Sequence, residues 1–90
     1  MAINVLTEAQ EDLSVRFARR GHDRFDGVQW YSGGTGAPLL PGALASFECA
    51  VTKMVEAGDH TILIAKVLYA ECRDGKPLVY FSSAYRKLAE

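Results

Sequence analysis

The chain is expected to be a mainly β domain with one helix at its side, a small antiparallel barrel or half-barrel, on three features of its sequence. Ala45, Phe47, Cys49 and Val51 alternate with Ser46, Glu48, Ala50 and Thr52, the two-residue period of a half-buried strand. Ile62 to Cys72 is apolar on both faces, as a central or barrel strand is. Ala9, Leu13 and Phe17 recur at four-residue intervals, which makes one helical stripe.

In chain order, Ala2-Ile3-Asn4-Val5-Leu6 is a short apolar run that predicts a strand. Thr7 and Gln10 have the spacing of a capping box that opens the helix, and this role accounts for Gln10 without a ligand. Glu11, Asp12 and Arg16 fall away from the apolar stripe, and Gly21 is the expected stop. From Gly21 to Pro41, Gly27, Gly33, Gly34, Gly36 and Pro38 surround Trp30 and Tyr31, the composition of an ordered loop anchored by aromatics. Ser32-Gly33-Gly34-Thr35-Gly36 lacks the lysine of a phosphate-binding loop and no helical pattern follows, so it is expected to be a plain turn. The alternation after Ala45 loses phase near Lys53, which predicts a bulge around Thr52 and Lys53. Ala57-Gly58-Asp59 supplies turn chemistry, Asp74-Gly75 marks another turn, and Pro77 to Phe81 is the final predicted strand. Ser82 onward is expected to be a polar tail around Tyr85.

At 90 residues, 49% apolar and net charge −1, residues 1–90 form one small globular unit whose core is too modest to stand easily alone, so pairing with a second subunit is expected. Arg16, Arg19 and Arg20 are offset by Glu8, Glu11 and Asp12, leaving no basic stripe for a phosphate backbone; nucleic acid is not an expected partner. No apolar stretch is long enough to span a bilayer and the start lacks the marks of a signal peptide, so the expected location is the cytoplasm. Cys49 and Cys72 are too few and wrongly spaced for a metal site, and are expected to be buried free thiols. His60, at the mouth of a hairpin between two apolar strands, is the most prominent titratable residue, because a ring at a strand end can face a cleft. Its plainer role is to cap the turn together with Asp59. His22, among Arg20, Asp23 and Arg24, has the setting of a solvated loop residue.

Asn4-Val5-Leu6 with Gln10, Leu13 and Phe17, then Gly36-Ala37-Pro38-Leu39-Leu40, Glu48-Cys49, Gly58-Asp59-His60, and Pro77-Leu78-Val79-Tyr80-Phe81 with Tyr85 resemble, in order, the flavin reductase family. These are short-chain reductases with an FMN-binding split barrel, often the small component of two-component flavin monooxygenases. The resemblance implies a homodimer that binds FMN or FAD, takes hydride from NADH or NADPH, and passes reduced flavin to a flavin-dependent monooxygenase. The two cofactors supply the redox chemistry and the protein positions them, so neither a nucleophile nor a metal is required. Gly58-Asp59-His60 matches the family's nicotinamide-associated motif, which implies a catalytic role for His60 and a binding role for Asp59 and His60. Tyr85 matches a tyrosine near the flavin cleft, Arg86 is a candidate for a flavin or nucleotide phosphate, and Asn4 matches a position typical of the family.

Two features depart from the family pattern. Ala65-Lys66 stands where relatives commonly have glycine and an acidic residue, and Ser82-Ser83-Ala84 lacks the basic and glycine residues often found before the tyrosine. The first barrel strands and the loop that cradles the flavin phosphate have no counterpart, so the chain is expected to be the C-terminal portion of the split barrel and a poor catalyst alone. The alternative function is a noncatalytic dimerisation or binding module derived from a truncated split barrel.

Overall fold

The structure, a computed structural model, describes residues 1–19 and 25–88. Its frame is a three-stranded antiparallel sheet in the order β1-β4-β5, with β1 at Ala2–Val5, β4 at Ala45–Ala57 and β5 at His60–Cys72. Two short hairpins complete the β structure: β2 (Tyr31–Ser32) with β3 (Pro38–Leu39), and β6 (Val79–Phe81) with β7 (Ala84–Arg86). Among the described residues there is one α-helix, α1 at Glu11–Ala18, entered through a 3-10 turn at Glu8–Gln10. The fold is thus mainly β with one side helix, as expected. No helix among the described residues is long and apolar enough to cross a membrane.

Gln10 closes the start of the helical segment as its spacing predicts, its Oε1 accepting the Thr7 N–H at 2.9 Å. Leu13 and Phe17 are half-buried, but Ala9 is exposed, because the tighter first turn puts it out of phase with the α-helical stripe. Arg16, expected on the outer face, is half-buried. The helix stops at Ala18, where Arg19 turns extended (ψ 142°); the expected stop at Gly21 lies outside the described residues, as does His22.

Residues directly opposite each other in a ladder share a face. Ala2, Glu48 and Tyr69 form one such row and Asn4, Ser46 and Glu71 the next. This polar face is the covered one, with α1 lying over Ala2 and Asn4 and the β2–β3 hairpin lying over Ser46, Glu48 and Tyr69. The opposite face carries Ile3, Val5, Ala45, Phe47 and Ala70, and there Ile3 and Val5 are exposed. The buried core is correspondingly small, consisting of Leu39, Leu40, Ala43 and Cys49 with Glu48 beside them.

Beyond Glu48 the sheet narrows to a two-stranded arm of β4 and β5 that ends in the Gly58-Asp59 turn. The bulge expected near Thr52 is present, since Val51 pairs with Ala65 and Lys53 with Ile64, leaving Thr52 unpaired with its Oγ1 on the Ile64 carbonyl at 3.0 Å. A second bulge lies on β5, where Glu48 pairs with Tyr69 but Cys49 with Val67, so Leu68 is the extra residue. One extra residue on each strand restores the original register towards the tip.

Three expectations need correction. β5 is an edge strand, and Ile62, Leu63, Ile64, Val67, Leu68 and Tyr69 are all exposed, because among the described residues the β2–β3 hairpin reaches it only around Tyr69 and leaves the arm uncovered. Cys72 is likewise exposed, while Cys49 is buried; both are free. The tail around Tyr85 is a strand. Ser82 and Ser83 both adopt positive φ (53° and 62°) and fold it back on β6 as a two-residue hairpin, although serine seldom takes that conformation.

Candidate functional site

The residues singled out in the sequence fall into two separate groups. His60 and Asp59 sit at the tip of the β4–β5 arm, where Ala57 pairs with His60 across Gly58 and Asp59. Gly58 takes φ +65°, a conformation that glycine supplies without strain, so the turn needs its glycine. The His60 Nδ1 lies 3.0 Å from Asp59 Oδ1, which orients the imidazole, and the two side chains are 80% and 95% exposed. Among the described residues none is placed against the other edge of the ring.

Asn4, Tyr85 and Arg86 lie at the base, with β1, α1 and the β6–β7 hairpin. The Asn4 side chain is a structural hub. Its Oδ1 accepts the Leu40 N–H at 3.1 Å and the Ser46 hydroxyl at 3.4 Å, and its Nδ2 donates to the Pro38 carbonyl at 3.4 Å. One half-buried amide therefore ties β1 to β3, to the turn after it and to β4. The Tyr85 hydroxyl is 2.8 Å from Ser14 Oγ on α1, and its ring meets Tyr80 edge-on with centroids 5.2 Å apart. Arg86 donates from Nε to the Phe81 carbonyl at 3.4 Å and borders a cavity of about 180 Å³ with Glu8, Glu11, Leu78, Tyr85 and Lys87.

The base hairpin is carried by the segment before it. Glu8 N–H donates to the Lys76 carbonyl and Leu78 N–H to the Leu6 carbonyl, both at 3.0 Å, with Thr7 bridged to Pro77. Trp30 and Tyr31 divide their roles. Trp30 stacks edge-on against Phe25, which in turn meets Phe17 of the helix, while Tyr31 faces a cavity of about 510 Å³ over the sheet.

That cavity holds Glu48, to which the sequence assigned no site role. Tyr31 and Leu39 on the hairpin side face Ser46, Glu48, Leu68, Tyr69, Ala70 and Glu71 on the sheet. Glu48, only 6% exposed, accepts hydrogen bonds from Thr35 N–H (2.9 Å), Thr35 Oγ1 (2.7 Å) and Gly34 N–H (3.3 Å). The bonds from Thr35 hold its carboxyl below the ordinary glutamate value, burial opposes them, and Gly34 and the Met1 ammonium add smaller contributions. The sequence signal for it was a polar residue on a strand opposite a glycine-rich turn whose N–H groups need an acceptor. Among the described residues there is no cluster of metal-ligating side chains.

A half-open antiparallel sheet with one side helix is the mainly β architecture of a split barrel. Residues 1–89 match the family model of the flavin reductase like domain, and the chain belongs to that family. It is 43% identical over 88 residues to the FMN reductase (NADH) SmoA of Agrobacterium fabrum, covering 98% of this chain and 50% of that protein. It is 33% identical over 84 residues to the reductase subunit HsaB of a flavin-dependent monooxygenase of Rhodococcus jostii, covering 92% of this chain and 43% of that one. The crystal structure of the flavin reductase component of a bacterial two-component tryptophan halogenase superposes with a TM-score of 0.89 at 39% identity, over 99% of this chain and 59% of that chain. The chain thus spans about half the length of these two relatives and as little as 27% of others it matches.

Proposed function

We propose that the chain acts in flavin reduction, binding FMN or FAD with NADH or NADPH as co-substrate, as a homodimer in the cytoplasm that serves a flavin-dependent monooxygenase. The observation that carries this is the family match over residues 1–89, which includes the Gly58-Asp59-His60 tip. When bound, the flavin and the nicotinamide supply the hydride exchange, and the residues of the chain bind and orient them.

His60 fits that task. Asp59 fixes its Nδ1 side, which leaves Nε2 directed outward to hydrogen-bond a carboxamide or a phosphate of the dinucleotide. Tyr85 fits through its ring rather than its hydroxyl, which Ser14 already engages. Arg86 offers its terminal guanidinium nitrogens, with Lys87 beside it, to a phosphate. Asn4 acts indirectly, since its amide is spent on the backbone and side chain that shape the base. The tip and the base stand at opposite ends of the β4–β5 ladder, so one ligand pair draws on both only when a second copy is docked. Turnover by the 90 residues alone is proposed to fall below that of the longer relatives, because the apolar face and the arm stay uncovered.

The test is NADH oxidation with added FMN or FAD by the parent and by His60→Ala. The expected loss is about tenfold in kcat/KM, about 1.4 kcal/mol, for one hydrogen bond to the nucleotide, with unchanged mass by light scattering. Equal rates for parent and variant would remove His60 from the reaction. A second function, a noncatalytic dimerisation module, is favoured by the exposed apolar arm, and a parent that assembles but neither binds flavin nor oxidises NADH would establish it.

A further inference from the structure

We propose that Glu48 is a positioning residue, a charged clasp that fixes the Gly33–Gly36 turn on the sheet and thereby holds the β2–β3 hairpin as the outer wall of the Tyr31–Tyr69 cavity. The proposal stands on the geometry of this turn and does not depend on the flavin chemistry.

The turn makes two bonds of its own, Gly33 N–H to the Ala37 carbonyl and Gly36 N–H to the Gly33 carbonyl, both at 3.0 Å. The N–H groups of Gly34 and Thr35, at the turn's tip, find their acceptor in Glu48, which reaches up from β4. Each oxygen of the carboxylate is engaged, Oε1 by Thr35 through both its N–H and its hydroxyl and Oε2 by Gly34. The same Thr35 hydroxyl oxygen accepts the Ala37 N–H at 3.3 Å, so the clasp extends into the strand that carries Leu39. A three-donor nest of this kind is satisfied by an anion and by little else.

Two glycines let the turn lie flat. A Cβ at Gly33 would overlap the Glu48 carboxylate, and one at Gly34 would stand 3.2 Å from the Tyr69 ring. Glu48 and Tyr69 are cross-strand partners, so the turn sits across one ladder rung and touches both. The hairpin has only two residue pairs of its own, Tyr31 with Leu39 and Ser32 with Pro38, too few to hold it in place unaided.

Ionisation of Glu48 therefore couples to the placement of the wall. The titratable groups that share its surroundings are the Met1 ammonium at the start of β1, Tyr69 and Glu71 on β5, and Tyr31 on β2. Its carboxyl is shifted below 4.5, so the clasp contributes fully at neutral pH and loses its hold as the pH falls through the lowered folded value. Protonation of Oε2 turns an acceptor into a donor facing the Gly34 N–H.

The experiment is an NMR titration of the parent chain, following the Gly34 and Thr35 amide protons, with amide exchange measured in Glu48→Gln. The two amides are expected to shift together, with one midpoint below 4.5. In Glu48→Gln, which keeps the side-chain shape but places a donor among donors, their protection is expected to fall at least about tenfold while the amides at the His60 tip stay unchanged. Thr35→Val removes only the hydroxyl and is expected to raise the Glu48 midpoint. Amides that fail to titrate together, or Glu48→Gln protection within about twofold of the parent, would overturn the proposal, and the parent titration decides it even if the glutamine variant does not fold.

Discussion

Polar side chains at the base of this protein work mainly as ties between elements, and Ser14 with Tyr85 is the clearest case. Their 2.8 Å bond links the helix to the last hairpin across 71 residues of sequence. Tyr85→Phe and Ser14→Ala are each expected to lower stability by about 0.5–1.5 kcal/mol, and the double variant by little more than either alone, because both remove one interaction. Urea unfolding of the four proteins of the cycle checks this; simple additivity would mean that the two hydroxyls act independently. Sequence alone placed interest on Tyr85 and Asn4 but could not show how their polar atoms are spent, since the partners lie 71 and 34 to 42 positions away. Asp59 and His60 were legible because their contact is local. Glu48 was not, because its partners sit on a turn whose path over the sheet no periodicity reveals.

Elements with a strong local pattern were the ones the sequence specified well. The capping residue Gln10, the apolar alternation of β4 and the bulge at Thr52 all leave a mark within a few residues, as does the Gly58 turn. The turn and second strand of the β6–β7 hairpin leave none, because Ser82-Ser83 occupies a turn that Asn-Gly would normally signal. The same mismatch makes a prediction. Two serines at φ 53° and 62° are strained where asparagine and glycine are not, so Ser82→Asn with Ser83→Gly is expected to stabilise the hairpin by about 0.5–1 kcal/mol. Thermal melting of the double variant measures it, and a lowered Tm would show that the serine side chains make contributions beyond turn geometry. β5 misled for a different reason. Its largely apolar run, interrupted by Lys66 and Glu71, marks a strand, but a run of residues does not say what covers it.

At the scale of the whole molecule, the proposed homodimer draws its support from the exposed surface. A compact monomer of 9.9 kDa exposes about 5,200 Å², whereas this chain exposes 6775 Å². Its radius of gyration of 14.4 Å likewise exceeds the roughly 12 Å of a compact 90-residue domain. The excess of about 1,600 Å² is as much as a standard protein interface buries in total, counting both partners. Part of the exposed surface is apolar: Met54, Ile62, Ile64, Val67 and Tyr69 along the arm, and Ile3 and Val5 on the open face. The free edge of β5 adds unpaired backbone groups to the same region, a combination that drives strand pairing between chains. Light scattering after gel filtration is therefore expected to give a mass above that of one chain. Ile64→Lys with Val67→Lys is expected to shift it towards the monomer without disturbing the Gly34 and Thr35 amides at the base. Monomeric parent protein at tens of micromolar would mean that these surfaces are tolerated in water, and the homodimer would have to be abandoned. A dimer that survives both lysines would place the contact on the Ile3–Phe47 face instead, where Ile3→Lys is the next variant to measure.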